Sequence, residues 1–294
     1  MDVLVRKGNQ SLFDGHPFVR SVLTWNKKEK KYGDLLKLMN QVRNNQYDLV
    51  VNLHRFASSG ALAAYSDAPV KVGFRKNPMS ILFTHTAVHS FEGIHEVERN
   101  ARVLKPLIGE YETPRPRLYP TKEDEAKVEA FQNGTYRCIA PTSVWHTKQW
   151  PAEKWIELID ALPQDETIYL LGAPMDMQQC ESIRKRSKHP KVITLAGELS
   201  LLQSAALMKG ARMNYVNDSA PMHLASSVNA PVTAIYCSTV PQFGFGPLSE
   251  ESKVIETTEE LDCRPCGLHG HAECPMGHFK CALGIDVKRV LDNA

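Results

Sequence analysis

Short apolar, β-branched runs alternate with stretches of helical periodicity along the chain. In the first part DVLVR, SVLTW, YDLVVNL and VKVGF read as strands, with GDLLKLMNQVRNNQ and SSGALAAYSDA as helices between them. HEVERNARVLKPLIGE, residues 95–110, repeats Val97, Ala101, Leu104 and Leu107 at helical spacing. It runs into ETPRPRLYP, whose three prolines predict an extended linker. The spacing places a domain boundary there, giving domains 1–118 and 119–294.

The second half alternates more cleanly. YRCIAPTS, TIYLLGA, KVITLAG, RMNYVNDS and PVTAIYCST read as buried parallel strands, and helices are predicted from near Pro151, Pro174, Ser200 and Ala220. Ser200 with Gln203 is a capping-box pattern. Sequential βαβ order predicts an α/β fold of two doubly wound, Rossmann-like domains facing a cleft, with ligands beyond the carboxyl ends of the strands.

Composition narrows the class. The 294 residues are 43% hydrophobic and 23% charged, enough for one large or two ordinary cores. A formal net charge of +2 argues against a nucleic-acid protein held by bulk charge, while leaving room for local basic patches. No run has the apolar length of a membrane span, and MDVLVRKGNQ lacks a secretory pattern, so a cytoplasmic protein is expected. Seven cysteines, four of them within residues 263–281, read as reduced thiols.

Candidate chemistry gathers at three strand ends. In VNDSAPMHLASS, Asp218 and Ser219 end a strand and Pro221 enters the next helix, so the amides of Met222 and His223 point from a helix start that attracts phosphate. The alternative is that Asp218 or Ser219 only caps the helix and His223 packs on the sheet. APTSVWHTKQWP places the hydroxyls of Thr142, Ser143 and Thr147 and the cation of Lys148 at the same sheet edge. Asp176 in LLGAPMD is either an acceptor for ribose hydroxyls or a favourable charge in a first helical turn.

NLHRFASSG, KVGFRK, HEVERN, SVWHTKQWP, NDSAPMHLA and STVPQFGFGPLS together resemble glycosyltransferase family 9, the lipopolysaccharide heptosyltransferases of GT-B fold, and most closely a heptosyltransferase II-like branch. The resemblance implies inverting transfer of heptose from ADP-L-glycero-β-D-manno-heptose to the lipopolysaccharide inner core. Thr142, Ser143, Thr147 and Lys148 then resemble diphosphate contacts, and Asp218, Ser219, Met222 and His223 a donor-binding motif. The segment from Gly197 through Leu199 to Ser200 resembles one passing adenine, with Asp176 on the ribose side. Arg55, Arg75, Lys76 and Arg99 resemble an acceptor-facing basic set; the bland alternative for each is ordinary surface charge. The acceptor is expected at the inner membrane face, approached by a peripheral protein without a transmembrane segment. No divalent metal is needed if Lys148 and the helix start carry the diphosphate.

Two departures and one cluster remain. The resemblance implies that a first strand and a Leu-Gly-Asp-like turn carrying a catalytic Asp precede the segment that opens here. Neither Asp2 nor Asp14 matches that base, so the first strand is expected to be missing, by truncation rather than loss. The competing expectation is an inactive GT-B protein that binds nucleotide or glycan. Ala220 stands where the family usually has Gly, which disfavours φ > 0. Cys263-x2-Cys266-x7-Cys274-x6-Cys281 is either a structural zinc pattern or a set of packing thiols or a facultative disulfide. Cys138, Cys180 and Cys237 are expected as buried hydrophobes. In PQFGFGPLS, Phe243 and Phe245 either wall the sugar site or pack under their loop.

Overall fold

The computed structural model describes residues 1–27, 29, 31–91 and 93–292, with Lys31 described by its backbone alone. The chain divides into two compact units, Met1–Pro114 and Arg115–Ala294. The division falls before the expected boundary because half of the proline-rich linker is anchored to the second unit. Arg115 bonds Asn229 and, at 3.3 Å, Glu250, and the Leu118 amide donates to the Ser227 carbonyl.

The first unit runs β1 (Asp2–Arg6), β2 (Ser21–Trp25), α1 (Lys31–Asn44), β3 (Leu49–Asn52), α2 (Ala57–Tyr65), β4 (Val70–Phe74), β5 (His85–Ala87), α3 (Glu96–Ala101) and α4 (Lys105–Ile108). Its strands form two parallel sheets, β1-β2 and β3-β4-β5. The Tyr47 hydroxyl, just before β3, donates to Asp2 Oδ2 on β1 at 2.6 Å, bridging one sheet to the other. Leu49, Val51 and Leu53 share one face of the β3 segment, and all three are exposed. The helix expected over 95–110 is broken between α3 and α4. Pro106 has no N–H to continue the ladder and its ring opposes the carbonyl four residues earlier.

The second unit runs α5 (Lys122–Val128), β6 (Tyr136–Ala140), α6 (Ala152–Ala161), β7 (Thr167–Leu170), α7 (Met177–Arg186), β8 (Val192–Thr194), α8 (Leu201–Gly210), β9 (Asn214–Asn217), α9 (Ala220–Ser227), β10 (Val232–Tyr236), β11 (Ser252–Glu256), α10 (Lys280–Leu283) and α11 (Val287–Leu291). All six strands are parallel in the order β11-β10-β9-β6-β7-β8. Every residue of β6, β9 and β10 is buried, as the continuous apolar runs require when helices cover both faces. Trp150, Trp155, Ile139, Leu158, Ile168 and Tyr215 belong to the core beneath α6. Ser200 and Gln203 close the capping box: Ser200 Oγ accepts from the Gln203 amide at 3.1 Å, and Gln203 Oε1 from the Ser200 amide at 3.0 Å. β5 and β11 had no expectation attached to them.

Candidate active site

The strand order of the second unit fixes where a ligand fits. From β6 the chain winds outward through β7 to β8, then returns to β9 and winds the other way to β11. The loops leaving β6 and β9 therefore part company at neighbouring strand ends, which opens a crevice at the carboxyl edge. Lys148 lies in the loop after β6 and Asp218 directly follows β9, and the two meet, Nζ to Oδ2, at 2.7 Å. Their side chains are 15% and 9% exposed. The buried Thr239 hydroxyl donates to the same Asp218 oxygen at 2.6 Å. An ammonium has three donors, so pairing with Asp218 leaves others for a second anion.

Side chains far apart in sequence hold the Lys148 loop. The Trp150 amide donates to Asn217 Oδ1 at 2.9 Å, and Asn217 Nδ2 donates to the Thr142 carbonyl at 3.4 Å. Gln149 Nε2 donates to the Ser143 carbonyl at 2.7 Å. Thr147 departs from its expected donor contact: it is 1% exposed, and its Oγ1 accepts from the His271 amide at 2.7 Å and bonds Ser238 Oγ at 3.1 Å. Its hydroxyl positions the loop. Thr142 is buried and Ser143 half-buried at the same edge.

At the α9 start, Ser219 makes no side-chain cap; its hydroxyl instead donates to the Asn217 carbonyl at 3.3 Å. The first-turn amides thus gain no side-chain acceptor from their cap, the state in which a helix start attracts an anion. Met222 corrects its expected role: its amide donates to the Ser219 carbonyl at 3.1 Å, and its fully buried thioether lies 3.2 Å from the Tyr236 hydroxyl. His223 is exposed and does not pack into the sheet. Ala220 opens α9 without positive φ, so the methyl group carries no backbone strain. Tyr236 donates to the Phe245 carbonyl at 2.7 Å, and Phe243 and Phe245 are both half-buried.

At the ends of β7 and β8 the loops pack on each other. The Gly197 amide donates to the Gly172 carbonyl at 2.9 Å. Gly197 has φ +78°, and a Cβ there would lie 2.9 Å from Pro174 Cα. Asp176 Oδ2 accepts from the Ala173 amide at 2.7 Å, so one carboxylate oxygen closes this turn. Leu199 is half-buried just before α8.

In the first unit, Asn77 Nδ2 donates to the carbonyls of His54 and Phe56 at 2.9 and 3.0 Å, lacing the Arg55 loop to the Arg75–Lys76 loop. Arg55 and Arg99 lie over the Phe91 ring, at 5.4 and 4.8 Å from its centroid. Burial holds the His89 imidazole below its ordinary pKa. Arg55, Arg99 and Lys76 push the same way while Glu96 opposes. Three of the expected cations therefore surround one side chain, with Arg75 exposed beside Lys76. Arg99 departs from both readings given to it, acceptor contact and surface charge. It is 1% exposed, paired to Glu96 at 2.6 Å and bonded to the Ile94 carbonyl at 2.8 Å. Asp2 is committed too: hydrogen bonds from Arg20 and Tyr47 hold its carboxyl down at about 2.

Cys263, Cys266, Cys274 and Cys281 are free thiols around one cavity; among the described residues no three His, Cys, Asp or Glu side chains are placed to share a metal. Cys138, Cys180 and Cys237 are buried, and burial raises each thiol, Cys180 to about 12.

Residues 35–277 match the model of glycosyltransferase family 9 (heptosyltransferase). The chain belongs to that family. Among family 9 relatives, lipopolysaccharide heptosyltransferase 3 of Escherichia coli (strain K12) is 32% identical over 222 residues, 71% of this chain and 64% of the relative. The chain thus spans just under two thirds of that relative's length. Among solved structures, a family 9 glycosyl transferase from Veillonella parvula aligns with a TM-score of 0.87 at 20% identity, covering 99% of this chain and 86% of the other. E. coli ADP-heptose lps heptosyltransferase II aligns at 0.79 and 21%, covering 99% and 87%. The family 9 fold is GT-B, as the sequence resemblance implied. Among the described residues no helix is long and apolar enough to cross a membrane. Asn217, Ser238 and Thr239 escaped the sequence reading of the site; only the polar run closing each strand hinted at them.

Proposed function

We propose that this family 9 chain transfers heptose from ADP-L-glycero-β-D-manno-heptose to the inner core of lipopolysaccharide, with inversion. The observation that carries the reading is the Lys148–Asp218 pair at the switch point of the parallel sheet, beside the α9 start. In the reaction the bond between the sugar C1 and the β-phosphate oxygen breaks and its electrons pass to the diphosphate. The Lys148 ammonium and the positive end of the α9 dipole stabilise that growing charge. The acceptor hydroxyl oxygen bonds C1 from the opposite face, and its proton passes to a base. Asp2 is unsuited to that work because its carboxyl is already held ionised down to about 2. The base is not assigned to a described residue.

Asp176 and the loop from Gly197 to Leu199 flank the nucleoside side of the seat. Arg55, Arg75 and Lys76 receive the acidic groups of the acceptor; Arg99 stiffens that cluster through Phe91 rather than meeting the acceptor itself. The lipid-linked acceptor sets the protein's place at the cytoplasmic face of the inner membrane. The test is incubation with ADP-heptose and a heptose-deficient core oligosaccharide, following ADP release and product mass. One added heptosyl group per acceptor is expected. Donor binding without transfer would replace this reading by the binding-only alternative.

A further inference from the structure

Twenty-three residues between β11 and α10, 257–279, contain no helix or strand. A segment of that length without structure of its own needs something to hold it. Part of the anchorage is visible. Arg264 donates to the carbonyls of Cys237 and Thr239 at 2.7 and 2.8 Å, and the Cys266 amide to the Ser238 carbonyl at 2.8 Å. The Thr147 amide donates to the His271 carbonyl at 3.1 Å, while the His271 amide returns a bond to Thr147 Oγ1 at 2.7 Å. The segment is therefore bonded directly to the loop that carries Lys148.

The same segment brings Cys263, Cys266 and Cys274, with His278, to the wall of one cavity of about 10 Å³, and Cys281 joins them from the first turn of α10. That is room for one small ion and hardly for a water. The turns that bring the thiols there rest on left-handed backbone. Gly267, directly after the Cys263-x2-Cys266 pair, has φ +71°, and Gly277, which donates to the Cys274 carbonyl at 3.0 Å, has φ +69°. Phe279 holds φ +43° without being glycine, immediately before the short helix that carries Cys281. Cys138, Cys180 and Cys237, by contrast, sit on regular elements or directly after one and are wholly buried among apolar neighbours.

We propose that Cys263, Cys266, Cys274 and Cys281 bind one thiophilic divalent ion of the zinc class, and that this ion fastens the segment under the Lys148 loop. Each thiol gives its proton to solvent as it ligates, and the sulfurs close to about 2.3 Å from the ion. Among the described residues no three ligands already surround a common centre, so binding draws the cavity walls inward. The role is structural, and only its effect on the Lys148 loop rests on the proposed donor site.

The test uses the full chain purified under reducing conditions from zinc-supplemented medium. Elemental analysis is expected to find one zinc per chain. Titration of metal-stripped chain with Co²⁺ is expected to give a thiolate-to-metal charge-transfer band saturating at one equivalent. Cys266→Ser combined with Cys274→Ser abolishes both signals, and Cys180→Ala keeps them. Substoichiometric metal together with no cobalt band on the unmutated chain would overturn the site. So would a disulfide among the four cysteines in chain isolated without reductant and trapped by alkylation, or metal retained by the double variant. Stripping the ion is expected to weaken ADP binding measurably. Unchanged ADP affinity, with the metal confirmed, would overturn the fastening role and leave the donor reading intact.

Discussion

Removing the Lys148 ammonium tests the electrostatics of the donor seat. Its Nζ lies 2.7 Å from Asp218 Oδ2, with both side chains largely withdrawn from solvent. A unit charge about 4 Å from a phosphate oxygen is worth roughly 4 kcal/mol at an effective dielectric near 20. Lys148 already shares that charge with Asp218, so about 2–3 kcal/mol is the expected loss in Lys148→Ala. That is a roughly 30- to 150-fold weaker affinity for ADP. Part of the loss is repulsion, because Asp218 then faces the diphosphate without its cation. Asp218→Asn keeps an oxygen for the Thr239 hydroxyl and removes the charge. The double variant should therefore bind ADP about tenfold better than Lys148→Ala alone. Calorimetric titration at low salt reads all four proteins of the cycle, with thermal melts confirming that each is folded. Wild-type affinity in Lys148→Ala, or a double variant no better than the single, would refute the reasoning.

Other expectations are structural. The Asp2 carboxyl is held at about 2 against an ordinary 3.8, chiefly by the hydrogen bond from Arg20. A depressed carboxylate contributes stability above its unfolded pKa and loses it as pH falls through the folded one. Denaturant melts should therefore show the first unit weakening between about pH 4 and 2, and Asp2→Asn should flatten that limb. Arg99→Ala should cost about 2–3 kcal/mol in urea unfolding, through the loss of Glu96, the Ile94 carbonyl and the Phe91 face; an acceptor contact would instead lower acceptor affinity and spare stability. Gly197→Ala should cost about 2 kcal/mol by the same measurement, since a methyl group meets Pro174 at an already left-handed residue. Ala220→Gly should leave ADP affinity unchanged and lower stability by at most about 1 kcal/mol, because that residue already has helical dihedrals.

The meeting of Lys148 and Asp218 at one sheet edge was legible because both sit at fixed offsets from strong periodic signals. Lys148 and Asp218 each follow a buried apolar run, and neighbouring parallel strands bring such ends to one edge. What the pattern could not carry was side-chain direction. Thr147 looks like any loop hydroxyl until His271, 124 residues away, accepts and donates against it. Arg99 looks like a solvated helical charge until Phe91 and Glu96 cover it. The break at Pro106 was present in the sequence and outweighed by the spacing of Val97, Ala101, Leu104 and Leu107. β5, only three residues long, is shorter than periodicity can register, and β11 alternates only partly between covered and open positions. In the first unit the β3 face carries exposed Leu49 and Val51. A continuous apolar run marks them as core, and nothing in the run reveals that this face stays open.

A crystal structure of this chain grown with ADP tests the central claim most directly. The account predicts diphosphate density between the Lys148 ammonium and the first turn of α9, with adenine on the Gly197 side. Density for ADP anywhere else, with Lys148 still paired only to Asp218, would contradict it.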